Sequence, residues 1–392
     1  MFDSFYIAWK YLCFHKAKTA ILVSVIALTL FLPAGVDALV DESAKQLRQR
    51  ARETPLLVGA KGSEAELVLN SLYFNSKPPV QSSMAAFERV QESGYADAIP
   101  LYVRFRAREK PVVGTTLDYF QFRSLGIGKG RQFAMLGECV LGSEVARTLS
   151  LSPGQSLLSQ SENIFDLAGV YPLKMNVVGV LRPSNSPDDN AVFVDVKTAW
   201  VIAGLGHGHQ ALSEEDSGEA LIKSDGNRLT ANASVLTYTE ITTANAASFH
   251  FHGDRSSFPL TGVIAQPPDT RSKTLLMGRF QSAGEELQIV QPSSVMEELI
   301  ATVLRVRSFI FAGAILLGVA TTLSVILVFA LSLRLRQREL ETIRKIGVTK
   351  RRMCFIVAWE ILLVVSSSCV IAIFLTLSTR RFSELAIQWF LL

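Results

Sequence analysis

Three long apolar runs organise the chain: TAILVSVIALTLFLPAGV over 19–36, FIFAGAILLGVATTLSVILVFALSL over 309–333 and FIVAWEILLVVSSSCVIAIFLTLS over 355–378. A helix rises about 1.5 Å per residue, so about 20 apolar residues cross the hydrocarbon of a bilayer, and each run predicts a transmembrane helix. The first run follows FHKAK, as the apolar part of a signal peptide would, yet it is long and no convincing small-residue cleavage site follows it. Between the first two spans the pattern changes. A polar helical connector, DESAKQLRQRARE, gives way to short β-type runs at 55–60, 98–107, 111–116, 138–143, 174–182 and 191–196, with helical patterns at 84–93 and 143–151. Further strands are expected at 234–241, in SFHFHG and at 260–267, and a helix over 293–309 leads into the second span.

These patterns predict an α+β membrane protein: three transmembrane helices, with a large mixed α/β extracytoplasmic domain between spans one and two. The expected divisions are an interfacial helix and first span over 1–40, the outer domain over 41–307, a second span over 308–333, a basic segment over 334–354 and a third span over 355–378. In the remaining segment, 379–392, Phe382, Leu385, Ala386, Trp389 and Phe390 recur at helical spacing, which predicts a short interfacial helix. The stretch near 204–230 is poor in apolar residues and carries several acids, and reads as a mobile insertion.

Charge adds orientation. Lys10, Lys16 and Lys18 precede the first span and Asp37, Asp41 and Glu42 follow it, while 334–353 holds eight basic residues against Glu339 and Glu341. Basic flanks stay in the cytoplasm, which places the N-terminus and the 334–354 segment inside, and 41–307 and the C-terminus outside. The net charge of +4 is thereby explained by topology, and no nucleic-acid partner is needed. Cysteine adds little: Cys13, Cys354 and Cys369 lie at or in the membrane, and Cys139 alone falls in the outer domain, where a single thiol forms no internal bridge.

RQRELETIRKIGVTKRRM followed by FIVAWEILLV, the stretches GECVLGSEVARTLSLSPGQSL and MNVVGVLRPSNSPDDNAVFVDV, and the N-terminal AWKYLCFHKAKTAILVSVIALTL together resemble the MacB, LolC/LolE and FtsX type of permease, the type VII ABC transporters. The resemblance implies a MacB-like periplasmic core domain, a bacterial inner-membrane location, a partner ABC ATPase that carries ATP and Mg²⁺, and a second permease copy or paralogue. It also implies mechanotransmission: ATPase closure moves the membrane helices and, through them, the outer domain. Family permeases usually have four spans, whereas three are expected here. Arg338, Glu339, Thr342, Ile343, Arg344, Lys345, Ile346, Gly347, Val348, Lys350 and Arg351 match the family's ATPase-coupling segment, and Glu360 its early carboxylate in the next helix.

Read on its own, that segment is a short amphipathic helix, with Ile343, Ile346 and Val348 able to pack into a groove of a cytosolic partner. Its charge alone would equally hold it to anionic lipid headgroups. Glu360 is a carboxylate inside a span, which favours a stabilising role beside snorkelling Arg351 and Arg352 or a partner helix rather than a proton pathway. The glycine cluster GIGKG at 126–130 lacks the spacing of a phosphate-binding loop, and LGSEV lacks the turn of a nucleophilic serine, so no enzymatic activity of the chain's own is expected.

Four of the five histidines fall in two His-x-His pairs: His207 and His209, and His250 and His252. On an extended strand His250 and His252 project to one face and Phe249 and Phe251 to the other, so two imidazoles face outward where they can bind Zn²⁺ or a related ion. His207 and His209, with Glu214, Glu215, Asp216 and Glu219 following, can supply further ligands or pass metal onward. Surface pairs that arise without function are the alternative. No cofactor is expected to bind directly apart from zinc. Some permeases of this general type sit beside histidine-rich periplasmic zinc-binding proteins, so the resemblance admits a periplasmic binding or accessory protein as partner and zinc handling as a specialisation. Two other readings stand beside it: export of lipoprotein, peptide or drug-like cargo, and an FtsX-like scaffold that signals to an extracytoplasmic partner.

Overall fold

The structure, a computed structural model, describes residues 2–74, 77–160, 172–208, 221–225, 228–231, 240–280 and 286–390. It divides into two compact units, one of residues 1–47 with 298–391, the other of residues 48–297.

Among the described residues three helices are long and apolar enough to cross a membrane, over Lys16–Ala38, Ser308–Leu335 and Lys350–Arg381. Hydroxyls on these helices bond to carbonyls one turn back, Thr29 to Val25 at 2.8 Å, Thr322 to Gly318 at 2.8 Å and Ser368 to Val364 at 2.7 Å, which satisfies them without water. Leu22, Phe329 and Val364, one from each span, form a small shared core with Leu12, Val23, Ile26 and Val325 against it. Much of the remaining apolar surface is exposed, including Phe309, Ile315, Leu316 and Leu323 on the second span, as a lipid-facing helix requires.

The helical elements are longer than the sequence divisions. Helix Lys16–Glu53 includes both the first span and the polar connector, and Pro292–Leu335 includes the approach to the second span. The separate interfacial helix expected over 379–392 does not exist as such: Lys350–Phe390 is one unbroken helix. RRFSEL holds no proline or glycine to end it, so backbone hydrogen bonding simply continues past Ser378.

The outer unit is built on a ten-stranded mixed sheet. Its strand order is Leu287–Val290, Leu56–Ala60, Gly262–Gln266, Asp97–Ala107, Lys110–Thr115, Val192–Asp195, Glu138–Leu141, Lys174–Leu181 and Ile127–Gly130, with Ser156–Leu158 also paired to Lys174–Leu181. Two pairings are parallel, Lys110–Thr115 with Val192–Asp195 and Glu138–Leu141 with Lys174–Leu181. Central strands are continuous apolar runs because both faces are covered: Leu56, Leu57 and Val58, and Val192, Phe193 and Val194, are fully buried. Lys174–Leu181 instead alternates buried and half-buried positions, as a strand covered on one face does.

Helices Glu64–Tyr73, Met84–Glu92, Ser143–Leu149, Val196–Ile202 and Thr270–Arg279 accompany the sheet, the first and last capped by Ser63 and Asp269, whose side chains accept from the N–H of Glu66 and Ser272. Residues 127–130 of the glycine cluster form edge strand Ile127–Gly130. The 204–230 stretch, expected as a loop, contains strand Gly206–Gly208 and a hairpin of Leu221–Asp225 with Arg228–Ala231. Most of the strand expected at 234–241 lies outside the described residues.

Candidate functional site

Strand Gly206–Gly208 pairs antiparallel with Phe249–Phe251, placing Gly206 opposite Phe251, His207 opposite His250 and Gly208 opposite Phe249. Directly opposed residues share a face, so two imidazoles emerge together on one side while the phenyl rings lie toward the other. The glycines make this possible. A Cβ on Gly206 would lie 2.6 Å from the Phe251 ring, and one on Gly208 2.7 Å from the Phe249 ring, so the rings lie directly across bare backbone. Phe251 meets Trp200 at 6.4 Å and Phe258 at 5.9 Å between ring centroids, and the Trp200 indole N–H donates to the Pro259 carbonyl at 2.9 Å. The back of the strand pair is thus seated on buried aromatic residues.

His252 follows the strand, its N–H directed at the Leu205 carbonyl at 3.4 Å, and its ring joins the other two. Ring centroids are 5.1 Å apart for His207 and His250, 4.9 Å for His207 and His252, and 4.8 Å for His250 and His252. One nitrogen from each ring lies within 4.8 Å of the others; His207 is half-buried, and His250 and His252 are exposed. His250 Nδ1 is 3.0 Å from the Ser248 carbonyl oxygen, which only accepts, so Nδ1 is the donor in this contact and Nε2 is the nitrogen left to face outward. Three of the four paired histidines therefore form one cluster, with His207 on a strand rather than on a flexible loop. His209, Glu214, Glu215, Asp216 and Glu219 lie outside the described residues.

In the membrane unit the basic segment forms helix Gln337–Lys345, followed by a turn and the start of the next helix at Lys350. Gly347 has φ of +101°, and its N–H donates to the Arg344 carbonyl at 3.0 Å while that of Ile346 donates to Thr342 at 3.1 Å. Only glycine enters that left-handed conformation without strain, which explains the stop after KI. Arg338, Thr342, Arg344, Lys345, Lys350 and Arg351 are exposed, Val348 is half-buried, and Ile346 is 78 % exposed, a large apolar side chain held out among cations. Glu339 and Ile343 belong to the helix by backbone.

Glu360 is buried and paired, with a partner the sequence reading missed. Arg336 Nη1 donates to both carboxylate oxygens, at 2.9 and 3.2 Å, and the side chains are only 11 % and 3 % exposed. The Arg336 guanidinium also stacks on the Tyr11 ring, 3.5 Å from its centroid. The ion pair therefore uses neither Arg351 nor Arg352, and Arg351 instead lies over Phe355 at 5.9 Å. Arg336 is the residue between the second span helix and Gln337–Lys345, so the Tyr11 and Glu360 contacts fix the elbow from which the basic helix departs.

A second buried charge network lies in the outer unit. Near the end of helix Lys16–Glu53, Arg50 donates from Nη1 to Asp188 Oδ2 at 2.7 Å, from Nη2 to Asp188 Oδ1 at 2.9 Å, and from Nε to the Leu72 carbonyl. Tyr119 accepts from Arg50 Nη2 at 3.0 Å and donates to Asp188 Oδ1 at 2.7 Å. Asp188 sits in the 3₁₀ turn Pro187–Asn190, which rests on Gly142, where a Cβ would meet the Asp188 and Asp189 carbonyl oxygens at 2.3 Å. Burial works against both charges. The facing Asp188 carboxylate more than offsets it at Arg50, which stays above its ordinary value, and the Arg50 charge and hydrogen bonds hold Asp188 below its own. Burial, reinforced by the Asp188 charge, pushes the Tyr119 hydroxyl up, so it remains a donor. No sequence signal distinguished Arg50 from its neighbours in QLRQRARE.

The MacB-like periplasmic core domain model matches residues 19–238. Among solved structures, the periplasmic region of MacB from Actinobacillus actinomycetemcomitans is similar at 10 % identity, over 63 % of this chain and 92 % of that one, with a TM-score of 0.35. The extracellular domain of the noncanonic ABC-type transporter YknZ from Gram-positive bacteria is similar at 12 % identity, over 60 % of this chain and 98 % of that one, with a TM-score of 0.33. A search of curated proteins gives no match.

Proposed function

Because the chain belongs to the MacB-like periplasmic core domain family, of the MacB/FtsX type of ABC transporter permease, we propose that it is the membrane subunit through which a separate ABC ATPase moves an extracytoplasmic domain that handles a divalent metal ion, zinc above all. The family itself implies the ATPase partner and a membrane subunit that is generally not catalytic. The metal assignment is ours, and one observation carries it: the imidazoles of His207, His250 and His252 converge.

In this reading the N-terminus and helix Gln337–Lys345 face the cytoplasm, and two permease chains, identical or paralogous, work with the ATPase. Ile346 and its surrounding cations dock on the ATPase. The paired Arg336 and Glu360 pass the displacement of that helix into the second and third spans instead of letting the elbow flex. Helix Lys16–Glu53 carries both the first span and Arg50, and the Arg50–Asp188 pair fastens Arg50 to the sheet through the Pro187–Asn190 turn. Force travels by these fixed contacts, a mechanotransmission in which the membrane helices need enclose no channel.

The test is reconstitution of the full chain with its partner ABC ATPase. Zinc added outside should change ATP hydrolysis in the wild type and leave it unchanged in His250→Ala/His252→Ala. An unchanged rate in both, with intact ATPase association, sinks the metal assignment. If instead lipoprotein or peptide alters the rate, the cargo is of that kind. An extracytoplasmic partner activated without any cargo movement would mark a signalling scaffold.

A further inference from the structure

We infer that His207, His250 and His252 form an exchange site for one Zn²⁺ ion, three imidazole nitrogens holding the ion and the fourth position left open to a donor from solvent or from a delivering molecule. This rests on the metal reading above and deepens it: the ion is held for transfer and is not a structural staple.

Donor chemistry sets the ion. Imidazole nitrogens suit Zn²⁺ and its transition-metal neighbours, whereas Mg²⁺ and Ca²⁺ require oxygen donors. Geometry is within reach: tetrahedral zinc with bonds of about 2.0–2.1 Å sets its nitrogens roughly 3.3 Å apart, and the three ligand atoms already lie within 4.8 Å. Closing that gap takes rotation of exposed rings, not movement of the backbone. The backbone is fixed in advance, because the register that opposes His207 to His250 is locked from behind by Phe249 and Phe251 lying across Gly208 and Gly206. The second shell is partly built, with the Ser248 carbonyl orienting the His250 ring.

The open position follows from exposure. Structural zinc sites close with four protein ligands, and sites that do chemistry or exchange keep one free. Among the described residues three donors converge and two of them are exposed, so the outer side of a bound ion faces solvent.

The glycines are part of this site as positioning residues. Alanine at Gly208 must displace the Phe249 ring, and with it the register between His207 and His250, while every imidazole remains present.

The experiment uses the full chain in detergent, stripped of metal, with Co²⁺ as an optical reporter and Zn²⁺ as competitor. One Co²⁺ per chain with the intense visible bands of tetrahedral coordination is expected, displaced by Zn²⁺ and unaffected by excess Mg²⁺ or Ca²⁺. Free imidazole, added as a fourth donor, should shift those bands. His207→Ala, His250→Ala and His252→Ala should each weaken binding by more than about tenfold, and Gly208→Ala by about tenfold, with unfolding temperatures of the histidine variants unchanged. Binding that survives the three histidine substitutions overturns the site. Bands that ignore added imidazole overturn the open position and identify a closed structural site. A responsive site in a chain whose reconstituted ATPase ignores zinc would refute the transport reading while leaving the site itself standing.

Discussion

Asp188→Asn preserves the shape of the side chain and removes its charge, leaving Arg50 protonated in the interior with a neutral partner. In the wild type Arg50 and Asp188 are 8 % and 1 % exposed, and the carboxylate accepts two bonds from the guanidinium, one from Tyr119 and one from the Ser186 hydroxyl. Removing one partner of a buried pair typically costs about 3–5 kcal/mol, chiefly the cost of the charge left behind. Taking the lower figure, because asparagine still accepts hydrogen bonds, and about 1.4 kcal/mol per tenfold, opening of the outer unit should become roughly a hundredfold more frequent. Cys139 reports that opening. It is fully buried in strand Glu138–Leu141, adjacent to the strand Val192–Asp195 that follows the Asp188 turn, and burial pushes its thiol up, so it labels only when the sheet opens. With Cys13, Cys354 and Cys369 replaced by serine, the labelling rate of Cys139 should rise about a hundredfold in Asp188→Asn. Arg50→Met/Asp188→Leu should recover much of the loss, since apolar residues carry no buried charge. A rise of less than about tenfold, or a double variant as labile as the single one, would refute the claim that this pair fastens the helix end to the sheet.

Acid should erase the contribution of Asp188. Its carboxyl is held below the ordinary aspartate value of 3.8, so its stabilisation is complete above that value and is lost as pH falls through the lower folded one. The gap in unfolding temperature between wild type and Asp188→Asn should therefore narrow below about pH 4, and a gap independent of pH would contradict the assignment. Arg336→Ala, which strands Glu360 inside a span, should lower the yield of folded chain in detergent more than Arg336→Ala/Glu360→Gln does, as measured by size-exclusion chromatography. Ile346→Asp should abolish co-purification of the ATPase, and Val348→Ala, at a half-buried position, should leave it largely intact; equal effects would count against docking through Ile346.

The spans were legible because a run of twenty or more apolar residues has few physical outcomes. Strands such as Asp97–Ala107 and Lys174–Leu181 were legible within a residue or so, since they are long and mostly buried or alternating. Leu287–Val290, Ile127–Gly130 and Ser156–Leu158 were missed because they lie toward the margins of the sheet with few buried positions, and their sequences carry correspondingly little pattern. The sheet order was hidden for another reason: it depends on pairings between distant segments, which local periodicity does not encode.

The same limit governs the charges. Closeness in sequence favoured Arg351 and Arg352 for Glu360, yet on one helix Arg352 lies eight residues away, about 12 Å along the axis, while Arg336 approaches from the elbow between two other helices. For the histidines, spacing revealed which residues to watch. Their convergence comes from cross-strand register, and Gly206 and Gly208, which looked like loop glycines, are what the register requires.

The strand pair that carries the histidines is hydrogen-bonded as a sheet of its own, separate from the ten-stranded one. Substitutions at His207, His250 or His252 therefore touch none of the ladder that holds the outer unit together. If these imidazoles hold the ion as proposed, that capacity can be gained or lost by single codon changes while the sheet and the buried Arg50–Asp188 joint keep their form. Under that proposal, relatives that share the joint but differ at the imidazoles would keep the scaffold and lose the ion.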